Sequence, residues 1–276
     1  MLKDYVRKGV SWDSTIEDQG NNDGLTLPTE LGVCRCIIKS RRGKSLSLNI
    51  PICPKCFNHI QFTPTGYEMY KTKIRALILD YGGVISEPQA SKNVNNILEI
   101  LNLEFQDFHE MYLKQRENYD NGQISGEEYW ISILQHFNLN QNGSEINRLI
   151  QEDVKSWTKI NDHMIQFIKK SRCKIHKLAI LSNMTKDSLA YIRTHFQWLE
   201  LFDVSIYSCE LGINKPDKNI YEACLHKLAV LPNECLFVDD SVENVNGAIQ
   251  IGMRAIHYKS FPVFLQDLDE KFYLTQ

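Results

Sequence analysis

The sequence predicts an α/β protein: a parallel sheet with helices on both faces, a helical insert and a small amino-terminal β-hairpin module. The first observation is that apolar strand patterns end near Asp80, Ser182 and Asp239 and recur at 204–208 and 254–258. The second is that helical patterns fill the intervals, at 162–171, 186–195, 218–228 and 241–251. Such alternation is typical of a parallel sheet covered on both sides.

A long segment without a strand pattern, residues 89–157, separates the first two strands. Two sets of apolar residues in it follow the i, i+3, i+4, i+7 spacing of an amphipathic helix: Val94, Ile97, Leu98 and Leu101, then Trp130, Ile133, Leu134 and Phe137. Because this insert follows the strand that ends at Asp80, we predict that it forms a helical cap over that strand's carboxyl end.

The chain before Ile74 is predicted to contain two parts. Residues 1–30 are polar and irregular, which indicates loop or disorder. Residues 31–73 are predicted to form a small cysteine-containing module, in which 34–39 and the alternating segment 45–50 flank a basic turn as in a hairpin. Residues 74–276 then form the main domain, with its cap at about 89–157.

The composition excludes some classes of protein. Apolar residues make up 43% of the chain and the net charge is −3, which predicts no general attraction to nucleic acid or membrane. We find no bilayer-spanning apolar run and no signal-peptide pattern, so we expect a cytoplasmic protein with reduced thiols.

Four segments place polar residues at predicted strand ends or in the loops beside them. They are Leu-Asp-Tyr-Gly-Gly-Val at 79–84, Lys-Leu-Ala-Ile-Leu-Ser-Asn at 177–183, Gly-Ile-Asn-Lys-Pro-Asp at 212–217 and Cys-Leu-Phe-Val-Asp-Asp-Ser at 235–241. Ligands of open α/β sheets bind at the carboxyl ends of the strands. We therefore predict one site that contains Asp80, Ser182, Lys215 and Asp240.

In order and spacing, these segments resemble the motifs of the haloacid dehalogenase-like superfamily, most of whose members are magnesium-dependent phosphohydrolases with a Rossmann-like sheet. The first motif and residues 119–130 are similar to a subgroup with a helical cap and an Asp-x-Gly-Gly/Asn-Val motif. The resemblance covers residues 74 to about 258. It implies that Asp80 is the nucleophile and that the Gly82 carbonyl joins Asp80 and Asp240 as a Mg²⁺ ligand.

The residue types suit phosphomonoester hydrolysis. A carboxylate such as Asp80 can form an aspartyl-phosphate, which divides the reaction into two steps. Mg²⁺ prefers oxygen ligands and neutralises phosphate charge. Lys215, the Ser182 hydroxyl and neighbouring groups such as Asn183 are predicted to bind the phosphoryl oxygens. Asp239 and Asn244 are assigned to supporting or capping positions.

One departure from the family pattern concerns Gly82, where many family phosphatases have a general acid/base Asp. Such help is typically worth about 10² to 10⁴-fold, so its loss predicts either a slow phosphatase or replacement by another group or water. The resembling subgroup shares this glycine and includes active phosphatases. Dehalogenases of the superfamily also lack that Asp, which leaves haloacid hydrolysis as an alternative function. They usually lack an acidic pair such as Asp239-Asp240, so the pair favours phosphate chemistry.

Simpler interpretations of the same residues exist. Asp80 could close a strand, Ser182 could cap a helix, Lys215 could be a solvated loop lysine, and 239–241 could cap the next helix. Four later cysteines are predicted to be small core residues: Cys173, Cys209, Cys224 and Cys235.

The amino-terminal cysteines allow two interpretations. Cys34, Cys36, Cys53 and Cys56 have spacings compatible with a structural Zn²⁺ site, or they are four unligated thiols. Residues 31–67 also contain six basic residues and no acidic one. The main functional hypothesis is an enzyme that acts on a small phosphorylated substrate. A third hypothesis is a regulatory protein that binds nucleic acid or a protein partner through this module.

Overall fold

A computed structural model describes residues 74–140 and 142–274 and, before them, a set of paired strands. These strands are β1 (Val33–Lys39), β2 (Ser45–Pro51), β3 (His59–Thr63), β4 (Gly66–Tyr70) and β5 (Thr72–Ile74). Strands β1 and β2 pair antiparallel, as do β3 and β4. The β1–β2 pairing is compatible with the hairpin predicted over residues 34–50, and the small module at 31–73 remains a prediction. The prediction for residues 1–30 lies outside the described residues.

Five parallel strands form the central sheet in the order β10-β9-β6-β7-β8. They are β6 (Ala76–Leu79), β7 (Lys177–Ser182), β8 (Val204–Tyr207), β9 (Cys235–Asp239) and β10 (Arg254–His257). The predicted Rossmann-like α/β fold is confirmed. The chain leaves β6 toward β7 on one side and later returns to β9 on the other, so β6 lies at a topological switch point, where such sheets bind ligands.

Helices follow the strands as the sequence predicts, with ends that agree to within a residue. After the insert they are α5 (Asp162–Ser171), α6 (Lys186–His195), the short α7 (Ser208–Leu211), α8 (Lys218–Leu228), α9 (Val242–Gln250) and α10 (Phe261–Lys271). No sequence pattern predicted α10 or the strand β11 (Phe272–Leu274), which pairs with β5.

Alternating side chains of the strands bury two separate cores, one on each face of the sheet. Leu77 and Leu79 of β6 enter one apolar cluster, whereas Ala76 and Ile78 enter the other. Successive residues of a strand point to opposite faces, so a strand that is apolar throughout requires cover on both sides. The four buried residues of β6 meet that requirement.

The insert between β6 and β7 consists of four helices with an aromatic core of their own. The helices are α1 (Ser91–Leu101), α2 (Phe105–Asp120), α3 (Gly126–His136) and α4 (Gly143–Ser156). Trp130, Tyr119 and Tyr129 are among its fully buried side chains. Capping boxes begin α3 and α4, where Ser125 and Asn142 bind the backbone three residues on. The predicted helical insert is thus confirmed.

Hydrogen bonds attach the carboxyl end of α2 to the loops that follow β7 and β8. The Tyr119 hydroxyl donates to Asp187 at 2.8 Å, and Lys186 Nζ donates to the Gly122 carbonyl at 2.9 Å. Asn214 Nδ2 donates to the Glu117 carbonyl at 2.8 Å. These loops lie at the carboxyl edge of the sheet, so the insert borders the predicted site.

The prediction that Cys173 is a core residue is wrong, since Cys173 is exposed, while Cys209, Cys224 and Cys235 are buried as predicted. Cys173 lies in a short turn after α5, where neighbouring lysines and an arginine keep the chain at the surface.

In the part of the chain that the structure describes, every helix is too short or too polar to cross a bilayer.

Candidate active site

Asp80 follows the central strand directly, in the position that the sequence predicts. Its N–H donates to the Val238 carbonyl of β9 at 2.9 Å, which holds the residue between two neighbouring strands. The backbone then turns through residues 81–85, and the Tyr81 N–H donates to Asp80 Oδ1 at 2.7 Å. Asp80 is 7% exposed, so it is more than a turn residue at the surface.

Lys215 reaches Asp80 from the loop between α7 and α8. Its Nζ lies 2.9 Å from Asp80 Oδ1 and 2.7 Å from Asp239 Oδ2, and it donates to the Leu181 carbonyl at 3.1 Å. Lys215 is 4% exposed, so the interpretation as a solvated loop lysine is wrong. A buried ammonium needs partners of this kind because desolvation without them is costly.

Asn183 fixes the backbone of Lys215 by two hydrogen bonds. Asn183 Oδ1 accepts from the Lys215 N–H at 2.8 Å, and Asn183 Nδ2 donates to the Lys215 carbonyl at 3.1 Å. The preceding residue, Ser182, is buried and its hydroxyl donates to the Asn183 carbonyl at 3.3 Å. Ser182 does not cap the next helix, because Thr185 occupies that position.

Asp239 and Asp240 end the neighbouring strand β9. Asp239 accepts hydrogen bonds from the Ser241 N–H at 2.8 Å and from Asn244 Nδ2 at 3.1 and 3.2 Å, in addition to the Lys215 contact. Asn244 thus orients Asp239; the supporting position assigned to both remains a prediction. Ser241 caps α9. One oxygen each from Asp80, Asp239 and Asp240 lies within 4.8 Å of the others.

The protonation equilibria of these carboxyls reflect their crowding. Burial raises the pKa of Asp80 to about 7, against the opposing effect of Lys215. Burial and the neighbouring Asp239 also raise the pKa of Asp240. Although burial acts in the other direction, Asp239 and Asp80 raise the pKa of Lys215. Lys215 therefore remains charged, but one ammonium does not relieve the repulsion among three carboxylates.

The three carboxylates fit a divalent cation. Hard oxygen donors are the ligands that Mg²⁺ prefers, and a shared ion is a direct way to relieve their repulsion. Asp240 has room beside the backbone because residue 83 is a glycine: a β-carbon there would overlap Asp240 Oδ2. The sequence-predicted pair Asp80 and Asp240 is thus brought together, with Gly82 beside it.

A cavity of about 160 Å³ opens next to Asp80 and Asp240. Besides Tyr81 and Gly82, its lining includes residues that the sequence analysis did not single out as site residues: Arg116, Trp157, Met184, Thr185 and Ser188. Arg116 and Trp157 come from the insert. Periodicity alone could not identify Arg116, because charged residues are ordinary on amphipathic helices. Its contacts with Asp153 of α4 and with the Tyr129 ring of α3 appear only in three dimensions.

The side chains of the amino-terminal cysteines Cys34, Cys36, Cys53 and Cys56 lie outside the described residues. Zinc binding by them therefore remains a prediction of the sequence.

Comparison with known proteins shows the family of the chain. A family model described as haloacid dehalogenase-like hydrolase matches residues 74–252. A sesquiterpene phosphatase of Aspergillus oryzae is 25% identical over 193 residues, which are 67% of this chain and 90% of that protein. The acyl-CoA dehydrogenase family member 10 of Mus musculus is 34% identical over 97 residues, 34% of this chain. That match spans only 9% of the relative's length.

Solved structures share the fold. An enzyme of the same family from Bacteroides thetaiotaomicron has a TM-score of 0.60 at 20% identity, covering 69% of this chain and 96% of that one. The wild-type structure of that enzyme in complex with magnesium and inorganic phosphate has a TM-score of 0.57 at 20% identity, covering 68% of this chain and 96% of that one.

Proposed function

The chain belongs to the haloacid dehalogenase-like hydrolases, and we propose that it is a Mg²⁺-dependent phosphatase that hydrolyses a small phosphomonoester. The observation that carries the proposal is the buried Asp80 carboxylate, held by Lys215 and adjoining Asp239 and Asp240 at the cavity. A nucleophile, a fixed cation and a set of metal-ligand oxygens are the parts that phosphoryl transfer requires.

In the first step Asp80 attacks the phosphorus atom. The Tyr81 N–H and Lys215 Nζ both contact Oδ1 of the Asp80 side chain, so Oδ2 is the oxygen that we assign to attack. The bond from phosphorus to the ester oxygen breaks, and the departing alcohol takes its proton from water. Lys215 supplies positive charge beside the phosphoryl oxygens, and the backbone donors after β7 supply hydrogen bonds.

In the second step water attacks the aspartyl-phosphate, releasing inorganic phosphate and the free Asp80 carboxylate. Lys215 keeps that carboxylate in place between turnovers, because its Nζ also holds Asp239 and the Leu181 carbonyl. Asn183 fixes the Lys215 backbone, so we assign it to positioning. Ser182, whose hydroxyl donates to the Asn183 carbonyl, would turn toward the phosphate when substrate binds.

Asp80, Asp240 and the Gly82 carbonyl would hold Mg²⁺, with Asp239 and Asn244 behind them. The ion would neutralise the phosphate charge that otherwise repels the attacking carboxylate. Two relatives support this assignment by their descriptions: one is a phosphatase, and another was solved with magnesium and inorganic phosphate. The helical insert, which supplies Arg116 and Trp157 to the cavity, would act as the cap that selects the leaving group.

The test is turnover of an aryl phosphate by the full chain with and without Mg²⁺. Asp80→Asn is expected to abolish turnover, while Asp162→Asn, an exposed carboxylate at the start of α5, is expected to leave it unchanged. Acid quenching during turnover should yield a phosphorylated peptide that contains residue 80. Equal turnover by wild type and Asp80→Asn would refute the proposal.

The same assays separate the alternative functions. Release of halide from a 2-haloacid without metal would assign the chain to carbon–halogen hydrolysis instead. Retention of the full chain on nucleic acid, weakening steeply as salt rises, would support the hypothesis about the basic segment 31–67. Metal analysis of the purified protein would test the four-cysteine Zn²⁺ site, and cell fractionation the cytoplasmic location.

A further inference from the structure

Building on the proposed phosphatase activity, we propose that the cavity selects monoesters with an uncharged, largely apolar leaving group, and that Asp120 and Asp153 enforce this selection by pairing with Arg116. The substrate class would thus be the monophosphate of an apolar alcohol or phenol. Esters that carry a second phosphate or a carboxylate would be excluded.

Apart from Arg116, the cavity wall beyond the phosphate site is apolar or neutral. Tyr81, Trp157 and Met184 present aromatic or thioether surface, and Thr185 and Ser188 are small and neutral. The Trp157 ring lies beside Gly82: a β-carbon on Gly82 would be 3.6 Å from its nearest carbon. The ring is therefore next to the nucleophile, where a leaving group would pack against it.

Arg116 is the only basic residue among the described residues that line the cavity. Its Nε lies 2.9 Å from Asp120 Oδ1, and its Nη1 lies 2.8 Å from Asp153 Oδ2. Nη1 also donates to the Tyr112 hydroxyl at 2.6 Å. The guanidinium carbon is 5.2 Å from the centre of the Tyr112 ring and 5.3 Å from that of Tyr119.

These contacts leave no spare positive charge for a substrate anion. One guanidinium faces two carboxylates, so the group carries a net negative charge when all three are ionised. Asp153 is completely buried, and its charge depends on Arg116 and on the Tyr112 hydroxyl, which donates to Oδ1 at 2.6 Å. If Arg116 turned to bind a second anion, it would leave a buried carboxylate without its cation, which is strongly unfavourable.

Selection would therefore operate by exclusion as well as by attraction. The apolar wall attracts a hydrophobic leaving group, and the Arg116–Asp120–Asp153 group repels a charged one. Specificity commonly needs such a repulsive element against the wrong ligand. Asp120 and Asp153 are specificity-determining residues in this account and take no part in the chemical steps.

A matched pair of aryl esters tests the inference on the full chain with Mg²⁺. One is a phenyl phosphate with a propionamide side chain and the other its propionate analogue, so that the leaving oxygens are alike and only the distal charge differs. We expect kcat/KM to be about tenfold higher for the amide, a ratio that corresponds to one modest like-charge repulsion. The difference should reside in KM.

Two variants and a control locate the cause. Asp153→Asn and Asp120→Asn each remove one negative charge. Each should bring the ratio of kcat/KM for the amide to kcat/KM for the propionate closer to one, mainly by lowering KM for the propionate. Asp120 is 16% exposed in its side chain, so Asp120→Asn serves if the buried Asp153→Asn does not fold. Asp107→Asn makes the same charge change at an exposed position on α2 and should leave the ratio unaltered.

The outcomes separate this inference from the proposed function. A wild-type enzyme that prefers the propionate, or variants that retain the wild-type ratio, would overturn the selection while leaving the phosphatase activity in place. Failure to hydrolyse either ester or any other phosphomonoester would overturn the phosphatase proposal and the selection with it.

Discussion

Gly83 packs directly against the carboxylate of Asp240, although 157 positions separate them in the chain. Its φ is +68°, a backbone conformation that side chains disfavour, and a β-carbon at this position would overlap Asp240 Oδ2. Glycine is thus needed for two independent reasons. The turn after the proposed nucleophile and the proposed metal ligand on β9 therefore depend on each other's geometry.

Gly83→Ala is expected to weaken Mg²⁺ binding at least about tenfold, because the new methyl group displaces the Asp240 carboxylate. The matched control is Gly212→Ala, which has a φ of +73° and no atom within 4 Å of an added β-carbon. Both changes should cost about 1–2 kcal/mol of backbone strain. Isothermal titration calorimetry measures the Mg²⁺ affinity, and chemical denaturation measures the loss of stability caused by backbone strain. Equal Mg²⁺ affinity in both variants would contradict the proposed role of Asp240.

Gly82→Ala, unlike Gly83→Ala, should stabilise the protein and leave Mg²⁺ binding unchanged. Gly82 has an ordinary φ of −64°, and its added β-carbon would make only a normal contact with Trp157 at 3.6 Å. We expect the free energy of unfolding to rise by about 0.4–1 kcal/mol, because alanine restricts the unfolded chain. The backbone carbonyl remains available to the metal, so Mg²⁺ affinity should be retained. Urea denaturation measures the first effect, and a loss of stability would show that the described turn is wrong.

Lys215→Met should destabilise the protein by about 3–5 kcal/mol, because it leaves two buried carboxylates without their cation. The comparison is Lys159→Met, which removes an ion pair between Lys159 and Glu87 at 2.6 Å whose side chains are 68% and 43% exposed. That exposed pair should contribute about 1 kcal/mol or less. If the denaturation midpoints fall equally in the two variants, Lys215 does not stabilise the buried carboxylates of Asp80 and Asp239 as described.

Mg²⁺ binding should be linked to protons through Asp80. Burial raises the pKa of Asp80 to about 7 in the metal-free fold, so the protonated form, which cannot bind the ion, dominates at lower pH. Binding should release a proton below pH 7 and tighten as pH rises from about 6 to about 8, then level off. Calorimetry in two buffers of different ionisation enthalpy measures this release. A pH-independent affinity would exclude Asp80 as a ligand.

The same shift affects the stability of the metal-free protein. The pKa of Asp80 in the folded state lies above the ordinary value of 3.8 for an Asp carboxyl, so between about pH 4 and 7 the folded state binds a proton that the unfolded state does not. The stabilising contribution of this proton is lost as pH rises through 7. Saturating Mg²⁺ should therefore raise the melting temperature more at pH 8 than at pH 6.

Much of the fold was predictable because its signals are local. The strands around Asp80, Ser182 and Asp239 are short apolar runs that end at a polar residue, and the helices carry their periodicity within a few turns. The alternation of strands and helices along the chain then restricts the topology of the sheet. Cys173 was misjudged because a place beside an apolar helix does not reveal the side on which the following turn faces, and its own neighbours are Arg172 and Lys174.

The sequence by itself determined the sheet, the helical insert and the identity of the residues at the strand ends, since each depends on neighbours in the chain. Only the tertiary structure decided how their charges are shared. Lys215 lies between Asp80 and Asp239, and Arg116 is neutralised by Asp153, 37 positions away. Such pairings form where separate helices and strands pack together. A buried charge without a partner is costly because its surroundings are of low polarity. Each buried charge therefore lies against an opposite charge that can be distant in the sequence, and local sequence patterns do not show that partner.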